Sequence, residues 1–597
     1  MRKWQLALVG ILAVLSVVVA WELRTAAFPV VGAEFSLSRE EVPSRMVSVM
    51  DGLGYELRGS RRAVSFGEST GELNYVELVA GAERLEELGE QGLVIWYWVG
   101  RWFWPGEWEE TSIWLSPGGE LTGLWRTLEE ERELPSLERA EALEVAGNFL
   151  KERVTQHPMA GLELVSESSE QLENRVDWTF TWEREGLRVG EAPFQLTVTV
   201  QGNEVGGYGE GLVIPEGWTR EFERKREVNE LCSMLAGFGS LAVLIALMVD
   251  FIVRIRRGDV RWRTAVPWGW LAVMAVVALA VEVNAFPDAV FGYDTLQNWN
   301  SFLVESGVDA VRNAVFVAVG LWLIFVMADG VYRDGLPGTA PMRWMLGRGA
   351  ISDPWVNRGI GVGIVAAMIS LGYVTIFYVV GRWVGVWCPV DLDTAEIFTG
   401  WLPWVQPAEV GLSASFGEEL LFRVVALLLI WRVTRRRWVA VVGSALIWAF
   451  LHSDYPQMPG YVRGLELTVV GIAWGILFLK FGLISTLTAH YLYNCWIGSV
   501  VVFASDSWVN QVGALAVSLW PVGIFLWGWL RRKHPETWEE ESVVGKPVQV
   551  GEVVPAVAVG SRVFSTWGMV AVAAFCAGVL MLTWVVPLPQ AAMDQFG

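Results

Sequence analysis

The sequence predicts a polytopic α-helical membrane protein of about 11 transmembrane helices, with one α+β extracytoplasmic domain. Three observations predict it. Of 597 residues, 53% are hydrophobic and only 18% charged, with a mean hydropathy of +0.38; soluble chains are nearer a quarter charged. Apolar runs long enough to cross a bilayer recur along the chain. Residues 22–230 contain no such run, and hold about 40 acidic against about 20 basic residues, which by count accounts for the whole net charge of −20. A nucleic-acid partner needs a basic face, so that class is excluded. Cys232, Cys388, Cys495 and Cys576 lie in apolar stretches without CxxC spacing, which argues against a disulfide framework or a zinc-thiolate site.

The first span, Trp4–Trp21, follows Arg2 and Lys3 and reads as an uncleaved anchor, since a signal peptide has a shorter apolar core. Further spans are expected near 232–253, 266–285, 311–329, 359–387, 403–431, 438–453, 462–479, 482–504, 511–530 and 565–586. Basic residues follow every even-numbered span: Arg254 to Arg263, Arg333 to Arg358, Arg432 to Arg437, Lys480, and Arg531 to Lys533. The opposite loops are acidic or neutral, as at Asp391, Asp393 and Glu396. The positive-inside rule then puts the N-terminus in the cytosol and residues 23–230 outside. The glycines Gly359, Gly361 and Gly363 follow no strand and read as a close helix contact. The chain divides into an anchor (1–22), the exported domain (23–230), spans two to five (231–390), a core (391–510), and two last spans (511–597) with a cytosolic linker at 531–562.

The exported segment carries a repeated order. A helix near Ser38–Leu53 precedes strands at Leu93–Phe103, Ser112–Leu115 and, after the turn Pro117-Gly118-Gly119, Leu121–Arg126. A second helix, from Ser136 to about Val154, precedes strands at Asp177–Arg184, Phe194–Val200 and, after Gln201-Gly202-Asn203, Val205–Tyr208. Matching turn chemistry makes each half one helix and a small antiparallel sheet, an order that resembles PepSY-like domains. Trp96, Trp98, Trp102, Trp104 and Trp108 read as sheet core and membrane-facing edge, and His157 as a surface residue.

Ionisable residues inside spans are costly and therefore functional candidates. Glu418-Glu419-Leu420-Leu421-Phe422-Arg423 lies within the sixth span. Glu419 and Arg423 are four apart and share a helix face, while Glu418 points elsewhere with no local partner, which suits a general base; the alternative is a structural ion pair gripping a neighbouring helix. His452 ends the seventh span, and His490 and Asn494 share a face of the ninth. Measured from the flanking basic residues, Glu418 lies about 21 Å, His452 about 22 Å and His490 about 15 Å from one membrane edge. All three fall in the middle of one hydrocarbon slab. Two Glu, two His and an Asn at one depth suit hydrolysis: a base activates water and donors receive the oxyanion. Glu418, His452 and His490 also match catalytic zinc ligands, although the HExxH signature is missing.

At these residues the chain resembles the CAAX-protease and bacteriocin-processing (CPBP, Abi) family of intramembrane endopeptidases, whose motifs are EExxxR, FxxxH and HxxxN. Here they read Glu418-Glu419-x-x-x-Arg423, Trp448-x-x-x-His452 and His490-x-x-x-Asn494, with Trp448 where Phe is usual. The resemblance covers about residues 400–505. It implies that Glu418 and His452 activate water, that His490 and Asn494 form the oxyanion site, and that Glu419 with Arg423 orients the catalytic helix. It implies an intramembrane endopeptidase resembling CAAX prenyl protease 2, acting on a membrane-associated protein or peptide in the lipid bilayer. Prenylated CAAX substrates characterise the eukaryotic members, and an acidic chain with an exported PepSY-like domain reads as bacterial, with a different substrate. No cofactor is required on the glutamate reading; zinc is the alternative. The competing readings are a receptor or immunity protein without catalysis, and an ion-coupled transporter, which the lack of an inverted repeat disfavours.

Overall fold

A computed structural model describes residues 3–28, 36–55, 57–262, 265–347, 349–387, 394–505, 507–531, 539–541 and 547–549. The span expected at 565–586 lies outside the described residues, as do Cys388, Cys576 and His534.

The chain is a membrane protein with a sheet domain set on its helices. Seven described helices are long and apolar enough to cross a bilayer: Trp4–Glu22, Glu216–Arg257, Trp268–Phe291, Trp299–Gly335, Pro354–Trp383, Val462–Phe481 and Trp508–Leu530. Three further expected spans fall outside that set, and each carries candidate site residues. The sixth is Val405–Glu418, a π-helical stretch Glu419–Ala426, and Leu427–Thr434. The seventh is Arg437–Phe450, only 14 residues, extended by a 3-10 turn at Leu451–Asp454. The ninth is Leu483–Ala504, rich in Ser, Thr and Tyr. Burying polar chemistry in a bundle lowers the apolarity of the helices that carry it.

The sheet has eight antiparallel strands: β1 Arg61–Glu68, β2 Trp96–Phe103, β3 Glu110–Leu115, β4 Leu121–Thr127, β5 Leu162–Gln171, β6 Val176–Val189, β7 Ala192–Gln201 and β8 Glu204–Leu212. Their order is β1-β2-β3-β4-β8-β7-β6-β5. Each half of the domain supplies the expected helix (Val42–Leu53 or Arg139–Arg153) and four strands, and the first half adds two helices, Thr70–Val79 and Arg84–Glu90, between β1 and β2. The halves do not form two small sheets. They join through their last strands, with Gly123 opposite Gly209 and Leu124 opposite Tyr208. The two expected hairpin turns are present. Gly119 (φ 86°) and Gly202 (φ 62°) supply the left-handed residue each needs, a conformation that is steric strain for other residues.

Both helices pack on the sheet: Met46, Met50, Ala146, Phe149 and Leu150 join Trp98, Leu124, Phe180, Leu196 and Tyr208 in one core. Burial alternates along β7, as a strand with one covered face requires. Trp96, Trp98 and Trp102 belong to the core, while Trp108 is exposed.

His157 is not a surface residue. It is 1% exposed, with Nδ1 2.6 Å from an Arg184 guanidinium nitrogen and Nε2 3.1 Å from Glu210 Oε2. Its polar neighbours in sequence read as an open loop, but that loop closes over the β8 carboxylate, a long-range pairing no local pattern encodes.

Edge strand β1 is covered by the membrane part. The Phe66 N–H donates to Thr399 Oγ1 (3.0 Å), Phe66 packs on Phe398 (5.1 Å), and Arg39 donates to the Phe398 and Thr399 carbonyls. Arg101 on β2 donates to the Phe291 and Tyr293 carbonyls, both at 2.7 Å. The opposite edge, β5, is mostly exposed and carries Glu163, Glu167 and Glu170.

From β8 the chain enters Glu216–Arg257, one unbroken 42-residue helix running through residue 230. At its far end Arg254 pairs with Asp250, Asp259 and Asp334, Arg333 with Asp259 and Asp329, and Arg432 with Asp250. Three of the basic exits thus gather at one end of the bundle. The Gly359–Gly363 stretch is a close contact as expected: a Cβ on Gly363 would lie 2.6 Å from the Ser485 carbonyl oxygen.

Candidate active site

The helix that carries the two glutamates changes its winding where they sit. From Glu419 to Ala426 it is π-helical, a rare form whose single turns concentrate at functional sites. Arg423 remains beside Glu419, with Nε 3.4 Å from Oε2. The pair is buried, at 0% and 2% exposure. The guanidinium lies 4.2 Å above the Trp448 ring and 5.7 Å from that of Trp474, so aromatic faces supply much of the surroundings of the charge.

His490 closes the lower layer. Its Nδ1 is 2.9 Å from Glu419 Oε1, and its ring packs on Trp474 at 4.8 Å. A carboxylate only accepts, so Nδ1 carries the hydrogen of this bond. His452 is oriented likewise: its Nδ1 donates to the Trp448 carbonyl at 2.9 Å. In their neutral forms both rings therefore turn a bare Nε2 elsewhere, and both turn it to Glu418. Glu418 Oε2 is 4.0 Å from His452 Nε2 and 3.8 Å from His490 Nε2. These gaps are too long for direct hydrogen bonds and suit a bridging water.

The site is layered. Glu418 and His452 keep 28% and 24% of their side chains exposed, while Glu419 and His490 are almost wholly covered. The upper pair is partly accessible and the lower set is enclosed. Asn494, one turn past His490, is half-buried and makes no hydrogen bond to any described residue. Its amide is free to donate.

The structure thus brings together Glu418, Glu419, Arg423, His452 and His490, with Asn494 beside them. It changes one feature. Glu418 has no partner on its own helix, but it accepts a hydrogen bond from the Trp448 indole N–H. The residue that departs from FxxxH is a donor to the central carboxylate, which Phe could not be. Trp474 was not foreseen; a 1% exposed tryptophan in mid-span reads in sequence as lipid-facing or core.

No cluster of three or more His, Cys, Asp or Glu side chains forms a metal-ligand set among the described residues. The Glu418 oxygen that faces both imidazoles is already bonded to the Trp448 indole. The indole bond leaves that carboxylate further lone pairs, and Glu418, His452 and His490 are the residues that would hold a zinc ion, although their present spacing forms no closed ligand set.

Residues 400–496 match the family model "Type II CAAX prenyl endopeptidase Rce1-like". The chain is similar to the sporulation-killing factor biosynthesis protein SkfC of Bacillus subtilis (strain 168), 29% identical over 133 residues. That alignment takes in 22% of this chain and 27% of the relative, so the chain spans about a quarter of the length of the curated relative it matches. No solved structure matches. The matched segment contains the π-helical turn, His452, His490 and Asn494. Residues 400–496 are therefore an Rce1-like CAAX prenyl endopeptidase family domain, of a family of peptidases.

Proposed function

We propose that the protein is an intramembrane endopeptidase that hydrolyses membrane-associated proteins or peptides. The observation that carries this reading is the meeting of two Nε2 atoms at one Glu418 oxygen, 3.8 and 4.0 Å away, in the middle of the bundle. A water held there gives its proton to Glu418, assisted by His452, and attacks the scissile carbonyl. The Asn494 amide, and His490 when protonated on Nε2, donate to the developing oxyanion. Glu419 and Arg423 fix His490 and the helix from below. The proton on Glu418 then passes to the leaving amine. In this reading catalysis needs no metal, and Glu418, His452 and His490 are the ligands to test against it. The setting is a bacterial cell membrane, with the sheet domain outside as a PepSY-like module.

The test is cleavage of a membrane proteome or a quenched peptide library by purified protein. Glu418→Ala should abolish cleavage and a chelator should leave it intact. Loss with chelator as well would move the chemistry to a metal. Equal activity of Glu418→Ala and wild type would end the protease reading.

A further inference from the structure

His452 stands on a segment that satisfies only part of its own backbone: within it the Tyr455 N–H donates to the His452 carbonyl and the Gln457 N–H to that of Tyr455. After the 3-10 turn Leu451–Asp454 the chain runs through Tyr455-Pro456-Gln457-Met458 to the next helix at Val462. Its carbonyls also accept from other elements, and these donors come largely from one helix, Glu216–Arg257. Ser233 Oγ donates to the Leu451 carbonyl at 3.1 Å, and Arg226 donates to that of Asp454. Asn229 donates to Tyr455 and Gln457 together, 2.8 Å each. Residues 226, 229 and 233 are three and four apart, hence on one helix face. Asn229 is 0% exposed. Its contact is backbone-close: a Cβ on Gly460 would lie 2.6 Å from the Asn229 nitrogen.

The other side of the segment is also held. Met458 and Trp387 exchange both backbone hydrogen bonds at 2.9 Å. The Trp387 indole donates to Glu77 of the sheet domain at 2.9 Å. Gln457 Nε2 donates to Tyr378 Oη at 3.1 Å. The helix that supplies Asn229 begins four residues after β8 ends. So two outlets of the sheet domain, the end of β8 and Glu77, close on the segment that carries His452.

We infer that Asn229 is a positioning residue for His452, and that the sheet domain sets the reach between His452 and Glu418 through it. The inference rests on the protease reading for what His452 does, but not for where His452 is held. Asn229→Asp is the discriminating variant. It keeps the volume and replaces two N–H donors by a carboxylate facing two carbonyls, so the segment must shift or open. Two readouts separate the claims. The first needs no activity: carbethoxylation of His452 by diethyl pyrocarbonate, followed by peptide mass spectrometry, with His490 as internal reference. The variant should change the His452 rate by about threefold or more, as local opening does, and leave His490 unchanged. The second is proteolysis, where kcat should fall about 10- to 100-fold with KM held, as for a catalytic group moved by an ångström.

A folded Asn229→Asp protein with unaltered His452 reactivity overturns the inference. Altered reactivity in a protein without Glu418-dependent cleavage keeps the inference and removes the protease reading. Altered reactivity with unchanged kcat overturns the positioning role. Where Asn229→Asp does not fold, Ser233→Ala, which removes one donor from the same face, carries the same two readouts.

Discussion

Trp448 ties three groups of the site together. Its indole N–H reaches Glu418, its ring face lies under Arg423, and its carbonyl orients His452. Trp448→Phe keeps the second and third of these and removes only the first. A lost hydrogen bond to a charged group is worth about 1.5–3 kcal/mol, so kcat should fall about tenfold or more with KM unchanged; an unaltered kcat would show that the bond is incidental. Glu419→Gln acts differently. It leaves Arg423 buried without its counter-charge, a change that costs about 3–5 kcal/mol. Its melting temperature in detergent should drop clearly below that of Glu418→Gln, whose carboxyl is partly exposed. Similar melting of the two variants would contradict the layering of the site. Much of this was legible in sequence. Glu418, Glu419, Arg423, His452 and His490 stand out in sequence because ionisable groups rarely enter hydrocarbon without a task, and Asn494 because it shares a helix face with His490. The Trp448 bond and the role of Trp474 were not legible, because a tryptophan in an apolar run gives no sign of where its N–H points.

At the scale of elements, helix Thr70–Val79 carries a buried carboxyl, Glu77, and a half-buried one, Glu72, that face different parts of the protein. Burial, opposed by Arg382 and the Trp387 indole and reinforced by Glu68, pushes Glu77 up to about 7. Burial, opposed by the Leu212 N–H and reinforced by Glu210, brings Glu72 also to about 7. Unfolded, both titrate near 4.5. Between these values the folded state holds protons that the unfolded state has lost. Their contribution to stability is complete below the unfolded value and is lost as pH rises through about 7. The melting temperature of the sheet domain should therefore decline across that window, and Glu72→Gln/Glu77→Gln should flatten the decline. A flat wild-type profile by calorimetry would contradict this. This helix and strands β1 and β5 were missed in sequence for identifiable reasons. β5 alternates Ser and Glu, weak strand formers that suit only an edge, and β1 opens on two arginines. The π-helical turn was equally invisible, since its residues also fit an α-helix.

At the scale of the whole molecule, the basic exits near Arg254, Arg333 and Arg432 share one end of the bundle, and the sheet domain lies at the other end of Glu216–Arg257. With the positive-inside rule, a cysteine at Trp108, which is 61% exposed, should be labelled by an impermeant maleimide in intact cells. A cysteine at Val433, 82% exposed, should be labelled only after permeabilisation. The reverse pattern would invert the topology. Hydropathy and charge placed most of these helices within a few residues of where they stand. What they could not show is that Glu216–Arg257 is one rod, because its first turns are polar and read as part of the outer domain.

The two borders of the sheet are treated differently, and the difference bears on solubility. An open border invites strands from other chains, and natural proteins guard it with charge, twist or a cover. The β1 border lies under Thr399 and Phe398, so it is sealed as long as the helices are in place. The β5 border is guarded by its own composition: three glutamates, a bulge at Leu164/Ser166, and the Arg139–Glu167 pair at 2.6 Å. A sheet domain cut from its membrane anchor would lose the cover and keep the charge. It should then self-associate through β1 and remain inert along β5, so carboxylates placed along β1 should return it to a monomer.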